Sequence, residues 1–122
     1  MLPKKRQPQR SEIVRAPRRE WQRHRKWLRS HECVCSLAPQ GFSFCTGPVE
    51  VSHIRTAANA GVGLKPHDAF SVPMCNAHHA NYHRWGHDSF EGYFNLDLAK
   101  LAAEFTAKSP DKAMRESLKA SE

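Results

Sequence analysis

Potential metal ligands crowd the segment from Cys75 to His83, which reads Cys-Asn-Ala-His-His-Ala-Asn-Tyr-His. Cys75 and His78 are three residues apart, a spacing at which a turn entering a helix presents two ligands to one Zn²⁺. His79 and His83 are four residues apart, so on a helix they share one face and can bind a second metal ion. This segment is therefore expected to contribute to two different metal sites.

The first site is predicted to be a structural zinc site, which needs two more nitrogen or sulfur ligands. The other cysteines are Cys33, Cys35 and Cys45, one more than is required. Cys33 and Cys45 bracket a loop whose ends can converge, whereas a one-residue gap between Cys33 and Cys35 is a poor geometry for chelation. The predicted ligands are Cys33, Cys45, Cys75 and His78, with Cys35 as the replacement for Cys33. The alternative is a set of buried free thiols with a chance spacing.

The second site is predicted to be catalytic. Two histidines, His79 and His83, leave a bound metal with open coordination positions, as catalysis requires. His53 lies near the end of a predicted strand, and it faces the histidine helix if this strand and the next form a hairpin packed against it. A neutral imidazole there can deprotonate water while a metal offsets charge on a scissile phosphate.

The elements that must position these groups follow from apolar spacing. Alternation predicts short strands at residues 48–54 and 69–74, and the Cys75 segment then continues as a helix to about Gly86. A short helix is expected from Ser89, and residues 97–108 have the 3, 4 and 7 spacing of an amphipathic helix. Residues 18–30 are predicted to form a basic helix after Pro17 that packs Trp21 and Leu28. The predicted fold class is therefore small α+β.

Charge is concentrated at the start of the 122-residue chain. Residues 1–32 hold eleven of the 19 Lys and Arg but only three Glu, so this region carries about +8 and the remainder about −1. A basic region on a near-neutral domain is typical of polyanion binders, of which nucleic acid is the commonest. The alternative is a solubilising tail. The predicted division is a disordered basic arm at 1–17, a domain at 18–108 and a polar tail at 109–122.

The composition also bounds the class of protein. Only 39% of the residues are hydrophobic, so a domain of this length has little core and benefits from a metal that holds it together. The chain opens Met-Leu-Pro-Lys-Lys-Arg with no apolar signal segment, which favours reduced cysteines over disulfides. No apolar run approaches the roughly 20 residues of a membrane span, so a soluble protein is expected.

Four short motifs resemble those of the HNH endonuclease superfamily. They are Ser-His-Ile-Arg at 52–55, Gly-Leu-Lys-Pro-His-Asp at 63–68, Val-Pro-Met-Cys at 72–75 and the His-His pair with the later His83. The chain is most similar to small phage- and prophage-encoded HNH proteins, including Ref-like recombination nucleases. The resemblance covers roughly residues 30–107, and it implies a zinc-stapled ββα-metal core flanked by the basic N-terminal helix and the C-terminal amphipathic helix.

The resemblance also implies roles for individual residues. His53 would be the general base, His79 and His83 would bind the catalytic ion, expected to be Mg²⁺ or Mn²⁺, and Asp68 would organise the loop where the family has its middle Asn. Ser52 departs from the Asp or His that many members have before the catalytic histidine. His78 replaces the second cysteine of the usual Cys-x-x-Cys knuckle, a change that zinc accepts.

These observations predict a metal-dependent DNA endonuclease or nickase in the cytoplasm of a bacterial host, linked to DNA recombination or processing. DNA is the expected partner, and the basic residues expected to contact it are Arg18, Arg19, Arg23, Lys26 and Arg55. Arg55 is equally well explained as a surface arginine. The rival hypotheses are an inactive zinc-stabilised nucleic-acid-binding module and an RNA-directed module.

Overall fold

The structure is a computed structural model that describes residues 20–38, 45–55 and 67–120. In these ranges the chain forms a small α+β fold with two strands, five α-helices and one short 3-10 helix. In chain order the elements are α1 (Gln22–Arg29), the 3-10 helix (Val34–Leu37), β1 (Val49–His53), β2 (Ser71–Cys75), α2 (Asn76–Trp85), α3 (His87–Phe94), α4 (Leu98–Lys108) and α5 (Lys112–Ala120). The predicted basic arm at 1–17 lies outside the described residues, and so do Arg18 and Arg19 at the start of the predicted basic helix.

The two strands form an antiparallel hairpin that leads directly into α2, as the apolar alternation predicts. Val49 lies opposite Cys75, and His53 lies opposite Ser71. Every residue of β2 is buried, whereas in β1 only Ser52 and His53 are buried. The buried end of β1 therefore brings His53 to the interior at the point where the strands begin to separate.

The main core lies between the sheet and the helices that follow it. It includes Val72 and Met74 from β2, Phe90 and Phe94 from α3, and Leu98 from α4. The predicted amphipathic helix is confirmed, since α4 buries Leu98 and Ala102 and packs Leu101 and Phe105 against the core. α3 begins at His87, two residues earlier than the sequence predicts, because Gly86 makes the turn with a φ of 88°.

The C-terminal residues pack against α1, which the predicted polar tail at 109–122 does not anticipate. Met114 in α5 is fully buried against Trp21 and Ala69, with Leu118 one turn further along the helix. Asp111 joins the two helices, because its carboxylate accepts hydrogen bonds from the His24 N–H at 3.3 Å and from the Met114 N–H at 3.1 Å. Two apolar residues four apart are enough to dock a mostly polar helix.

Among the described helices, none combines the length and the apolar character that crossing a membrane would require.

Candidate functional site

Three cysteines and one histidine meet at one point. The Sγ atoms of Cys33, Cys45 and Cys75 and a ring nitrogen of His78 all lie within 4.8 Å of one another. His78 Nδ1 is 3.6 Å from both Cys33 Sγ and Cys45 Sγ, and 3.1 Å from Cys75 Sγ. In a tetrahedral zinc site, a nitrogen and a sulfur ligand lie about 3.6 Å apart. This Cys₃His group can therefore hold a structural metal ion such as zinc.

Two pairs of ligands from distant parts of the chain make up this group. Cys33 precedes the 3-10 helix and Cys45 precedes β1, whereas Cys75 ends β2 and His78 lies in the first turn of α2. Cys75 is also the N-cap of α2, and its Sγ accepts a hydrogen bond from the His78 N–H at 3.4 Å. This contact fixes the Cys75 sulfur at the start of α2, beside the His78 ring.

Cys35, the sequence-based alternative to Cys33, is not in the Cys₃His group but lies beside it. A hydrogen bond from the Cys35 thiol lowers the pKa of Cys33 to about 4. The same bond and burial raise the pKa of the Cys35 thiol. Cys33 is thus favoured as the thiolate that a metal requires, and Cys35 acts as its hydrogen-bond donor.

His53 is paired with a carboxylate from the loop before β2. Its Nε2 lies 2.7 Å from Asp68 Oδ1, and both residues are buried. An ionised carboxylate only accepts hydrogen bonds, so Nε2 carries a proton, and in the neutral imidazole the lone pair is then on Nδ1. Asp68 therefore orients the imidazole as the carboxylate of a catalytic triad does. The sequence analysis assigns Asp68 to loop organisation and does not anticipate this pairing.

Asp68 stays ionised although it is buried. Burial by itself would raise the pKa of the carboxyl, but three donors outweigh it and hold the pKa below its ordinary value. These are His53, the Trp21 N–H at 2.8 Å from Oδ2, and the Arg25 guanidinium at 3.3 Å from Oδ1. Two of the three come from the start of α1, so the basic helix is held against this loop.

His79 and His83 form the predicted pair on one face of α2. Their Nε2 atoms are 3.1 Å apart. Two nitrogens that bind one ion at about 2.1 Å lie about 3.0–3.4 Å from each other, so the pair fits a shared metal. His79 Nδ1 lies 2.7 Å from Glu50 Oε1, so Nδ1 donates to the carboxylate and Nε2 is the nitrogen that faces His83. The His79 bond and a weaker one from Asn76 hold the pKa of Glu50 below its ordinary value.

Two histidine units, His53 with its partner Asp68 and the pair of His79 and His83, open onto one cavity of about 200 Å³. Its walls contain the proposed base, both potential metal ligands and two arginines, and they consist of Arg25, Val51, His53, Arg55, His79 and His83. Burial and the neighbouring His79 and Arg55 lower the pKa of His83, which favours the neutral, metal-binding imidazole. The hairpin and α2 thus bring together the three histidines that the sequence analysis selected.

Two residues of this region were missed by the sequence analysis. Glu50 belongs to the polar positions of the β1 alternation, and no local pattern links it to His79, 29 residues away. Arg25 is one of many cations in α1, but its spacing from Trp21 and Leu28 places it on the inward face of a helix. That helical spacing was a usable signal for Arg25. Of the predicted DNA contacts that are described, Arg23, Lys26 and Arg55 are all exposed.

A second group of potential ligands has a structural role instead. His87 and Glu91 come close to Asp88, but each already has partners. Tyr82 Oη lies 2.9 Å from His87 Nδ1, while His87 Nε2 lies 3.1 Å from Glu91 Oε1. Glu91 Oε2 also accepts a hydrogen bond from the Leu98 N–H at 2.7 Å. This network joins α2, α3 and α4.

Comparison with known proteins leaves the function to be argued from this geometry. No protein-family model matches the chain, and no solved structure matches it. The chain is 28% identical over 68 residues to the uncharacterized protein YdfU of Escherichia coli strain K12. The matched stretch is 54% of this chain and 17% of that relative, so the chain spans less than a fifth of the relative's length.

Proposed function

We propose that the protein is a metal-dependent DNA endonuclease or nickase of the HNH type, which hydrolyses phosphodiester bonds. The observation that carries this proposal is the shared cavity, which brings His53 and the His79 and His83 pair together with two arginines. Phosphodiester hydrolysis needs a base, a divalent ion and positive charge around one phosphate. The cavity contains residues suited to each of these tasks.

His53 is the general base in this proposal. Its Nδ1 takes a proton from water, the water oxygen bonds to phosphorus, the bond from phosphorus to the 3′ oxygen breaks, and the 3′ oxygen takes a proton from solvent. Asp68 holds the Nε2–H and stabilises the imidazolium that results. The products are a 5′ phosphate and a 3′ hydroxyl.

His79 and His83 would hold the catalytic ion through their Nε2 atoms, and Glu50 would keep His79 in the tautomer that allows this. A divalent ion at this position offsets negative charge on the scissile phosphate and the departing 3′ oxygen. The protein donors are imidazole nitrogens, whereas Mg²⁺ prefers oxygen ligands. Of the two expected ions, Mn²⁺ therefore suits the histidine pair better than Mg²⁺.

DNA binding in this proposal depends mainly on the basic N-terminal region. Arg18, Arg19, Arg23 and Lys26 supply phosphate contacts that are independent of base sequence, while Arg55 contacts the strand at the cavity. The Cys₃His group holds the hairpin and α2 together and takes no part in the chemistry. A role in DNA recombination or processing, as a phage or prophage product in a bacterial host, is consistent with such an enzyme.

The test is nicking of supercoiled plasmid by the purified protein with Mn²⁺ or Mg²⁺, beside His53→Ala and His31→Ala. His31 is a partly buried histidine outside the cavity, and it packs on Trp27 and Phe105. We expect His53→Ala to lower the nicking rate by about 100-fold or more, because general-base catalysis contributes on that order. His31→Ala should keep the wild-type rate.

Equal nicking by the wild-type protein and His53→Ala would point to a contaminating nuclease and remove the case for an enzyme. If the wild-type protein binds duplex DNA but never nicks it, the inactive zinc-stabilised binding module becomes the better explanation. Tighter binding of single-stranded RNA than of duplex DNA, measured across a salt series, would favour an RNA-directed module instead.

A further inference from the structure

One arginine of α1 differs from the other cations of that helix. Arg23, Lys26 and Arg29 are exposed, whereas the side chain of Arg25 is only 19% exposed and lines the cavity. Burying a guanidinium costs free energy unless its donors are used. Arg25 is therefore placed for a specific contact and not for solubility.

Within the part of the chain that the structure describes, the ion pairs of Arg25 involve only its NH1 nitrogen. NH1 lies 3.3 Å from Asp68 Oδ1 and 3.9 Å from Glu20 Oε1. Among the described residues, NH2 and Nε of Arg25 have no hydrogen-bond partner. A guanidinium carries five N–H donors in a planar fork, so most of this group remains available to a ligand.

The backbone that carries Arg25 packs against the loop that contains Asp68. One turn before Arg25, the Trp21 N–H donates to Asp68 Oδ2 at 2.8 Å, and the Trp21 ring packs in the small core with Met114. The Arg25 N–H in turn donates to the Trp21 carbonyl at 2.9 Å. Arg25 and His53 therefore share one anchor, Asp68, and their relative positions are fixed.

The positive charge of the side chains that line the cavity favours an anionic ligand. Two arginines and three histidines line it, and none of its described lining residues is a carboxylate, although Glu50 contacts His79 at 2.7 Å. Asp68, which lies behind His53, is already shared among three donors. A cavity with this lining attracts an anion, and a phosphodiester presents two non-bridging oxygens that match a guanidinium fork.

We propose that Arg25 is a substrate-binding residue whose guanidinium donates hydrogen bonds to the scissile phosphate beside His53. This inference rests on the proposed endonuclease function and adds a residue from α1, outside the two strands and α2. It also explains why α1 packs on the loop that contains Asp68. If α1 moved away, the site would lose Arg25 as a phosphate ligand and Asp68 would lose its contact with Arg25. DNA cleavage should then require both α1 and the ββα element.

The first experiment measures the kinetics of plasmid nicking by Arg25→Ala, Arg25→Lys and Arg29→Ala. Arg29 lies on the same helix but is exposed and outside the cavity, so Arg29→Ala removes the same charge without touching the site. We expect Arg25→Ala to lower kcat about 100-fold, because losing one donor to transition-state charge has that order of effect. Arg25→Lys should lose about 10-fold, since a lysine keeps the charge but not the fork. Arg29→Ala should keep the wild-type kcat.

A second experiment separates phosphate binding from simple support of Asp68. His53→Ala removes the imidazole that Asp68 supports but leaves the contact between Arg25 and Asp68 in place, so Arg25→Ala is repeated in that background. If Arg25 binds phosphate, its removal should lower the residual nicking rate of the His53→Ala protein further. If Arg25 acts only through Asp68 and His53, its removal should have little further effect in the His53→Ala protein, and the proposal fails.

A third measurement is independent of catalysis. The arginine Nε–H signals of the ¹⁵N-labelled zinc-loaded protein are recorded while a short DNA duplex is added without a catalytic ion, and Arg25 is assigned by its loss in Arg25→Lys. The Arg25 signal should shift on binding, and an unchanged signal in the DNA-bound protein would overturn the proposal. If the wild-type protein fails to nick plasmid, the endonuclease proposal fails, while this signal still tests Arg25 as a phosphate ligand.

Discussion

At the residue scale, the two histidine units of the cavity share one design. His53 donates a hydrogen bond from one ring nitrogen to Asp68, and His79 donates one to Glu50, each at 2.7 Å. In each case the tautomer is fixed and the second nitrogen is left for chemistry. In the proposed endonuclease, Glu50 would matter for metal affinity because Ser52 stands where many HNH proteins have a further metal ligand. With fewer protein ligands, the orientation of His79 matters more for metal affinity.

A substitution at Glu50 tests this argument. We expect Glu50→Ala to weaken Mn²⁺ binding at the histidine pair by about 10–100-fold, because losing a carboxylate behind a metal-binding histidine has that order of effect. Glu50→Gln should show a smaller loss, since its amide oxygen can still accept from His79. The measurement is a Mn²⁺ titration of the zinc-loaded protein followed by electron paramagnetic resonance.

Glu104→Ala is the matched control, because Glu104 is an exposed glutamate on α4 outside the cavity. It should leave Mn²⁺ affinity unchanged. Equal affinities for the wild-type protein and Glu50→Ala would show that the Glu50 contact does not support the metal pair.

At the element scale, the turn between Cys45 and β1 determines how the zinc ligands meet. The first amides of α2 close onto this turn, since the Asn76 N–H donates to the Pro48 carbonyl at 2.9 Å and the Ala77 N–H to the Thr46 carbonyl at 3.3 Å. Gly47 lies between these two carbonyls with a φ of 82°. A Cβ built on Gly47 would lie 2.7 Å from Asn76 Cβ. A side chain at this position therefore meets both backbone strain and a close contact.

We predict that Gly47→Ala destabilises the protein by about 2–3 kcal/mol, from the strained φ and the contact with α2 together. The measurement is urea unfolding of the zinc-loaded protein, monitored by circular dichroism. Gly92→Ala is the control, because Gly92 lies in α3 and an added Cβ meets nothing within 4 Å. That change should stabilise the protein by about 0.5–1 kcal/mol, since alanine is the better helix former. Equal stability of the two variants would contradict the argument.

At the scale of the whole molecule, the Cys₃His group connects segments that are far apart in sequence. Its members run from Cys33 to His78, and they join the 3-10 helix, the start of β1, the end of β2 and α2 at one point. The four cysteines are all free thiols, so no disulfide shares this task. In a chain with a small core, a bound metal supplies stability that apolar burial does not.

We therefore expect a strong chelator to unfold residues 33–107 together, with loss of the near-ultraviolet circular dichroism signal. Cys35→Ser tests the choice of ligands, because Cys35 lies beside the group but outside it. This variant should keep one zinc per chain by elemental analysis, whereas Cys45→Ser should bind zinc more weakly and lose stability. Loss of zinc from Cys35→Ser would show that Cys35 is a ligand, and an unchanged fold in the chelated protein would rule out a structural metal.

Much of the local structure could be predicted because it depends on neighbours in the sequence. Apolar alternation identified β1 and β2, and the spacing from Cys75 to His83 predicted α2 and its two pairs of ligands. The 3, 4 and 7 spacing at Leu98, Leu101, Ala102 and Phe105 predicted α4. Each of these patterns repeats over a few residues, so each is visible without knowledge of how the elements pack.

The sequence predicted that Cys33 and Cys45 meet Cys75 and His78, and the structure confirms this group, but the other contacts across elements were decided by the tertiary structure. Asp68 lies 15 residues from its partner His53, and Glu50 lies 29 residues from its partner His79. Asp111 accepts a hydrogen bond from the backbone N–H of His24, which is 87 residues away. The packing of α5 on α1 also depends on the tertiary structure. Such contacts depend on how the helices and strands pack against each other. The same local sequence pattern is compatible with many packing arrangements, so it does not predict these contacts. The sequence by itself thus determined β1, β2, α2 and α4 and the spacing of the potential metal ligands, and packing determined the partners that orient them.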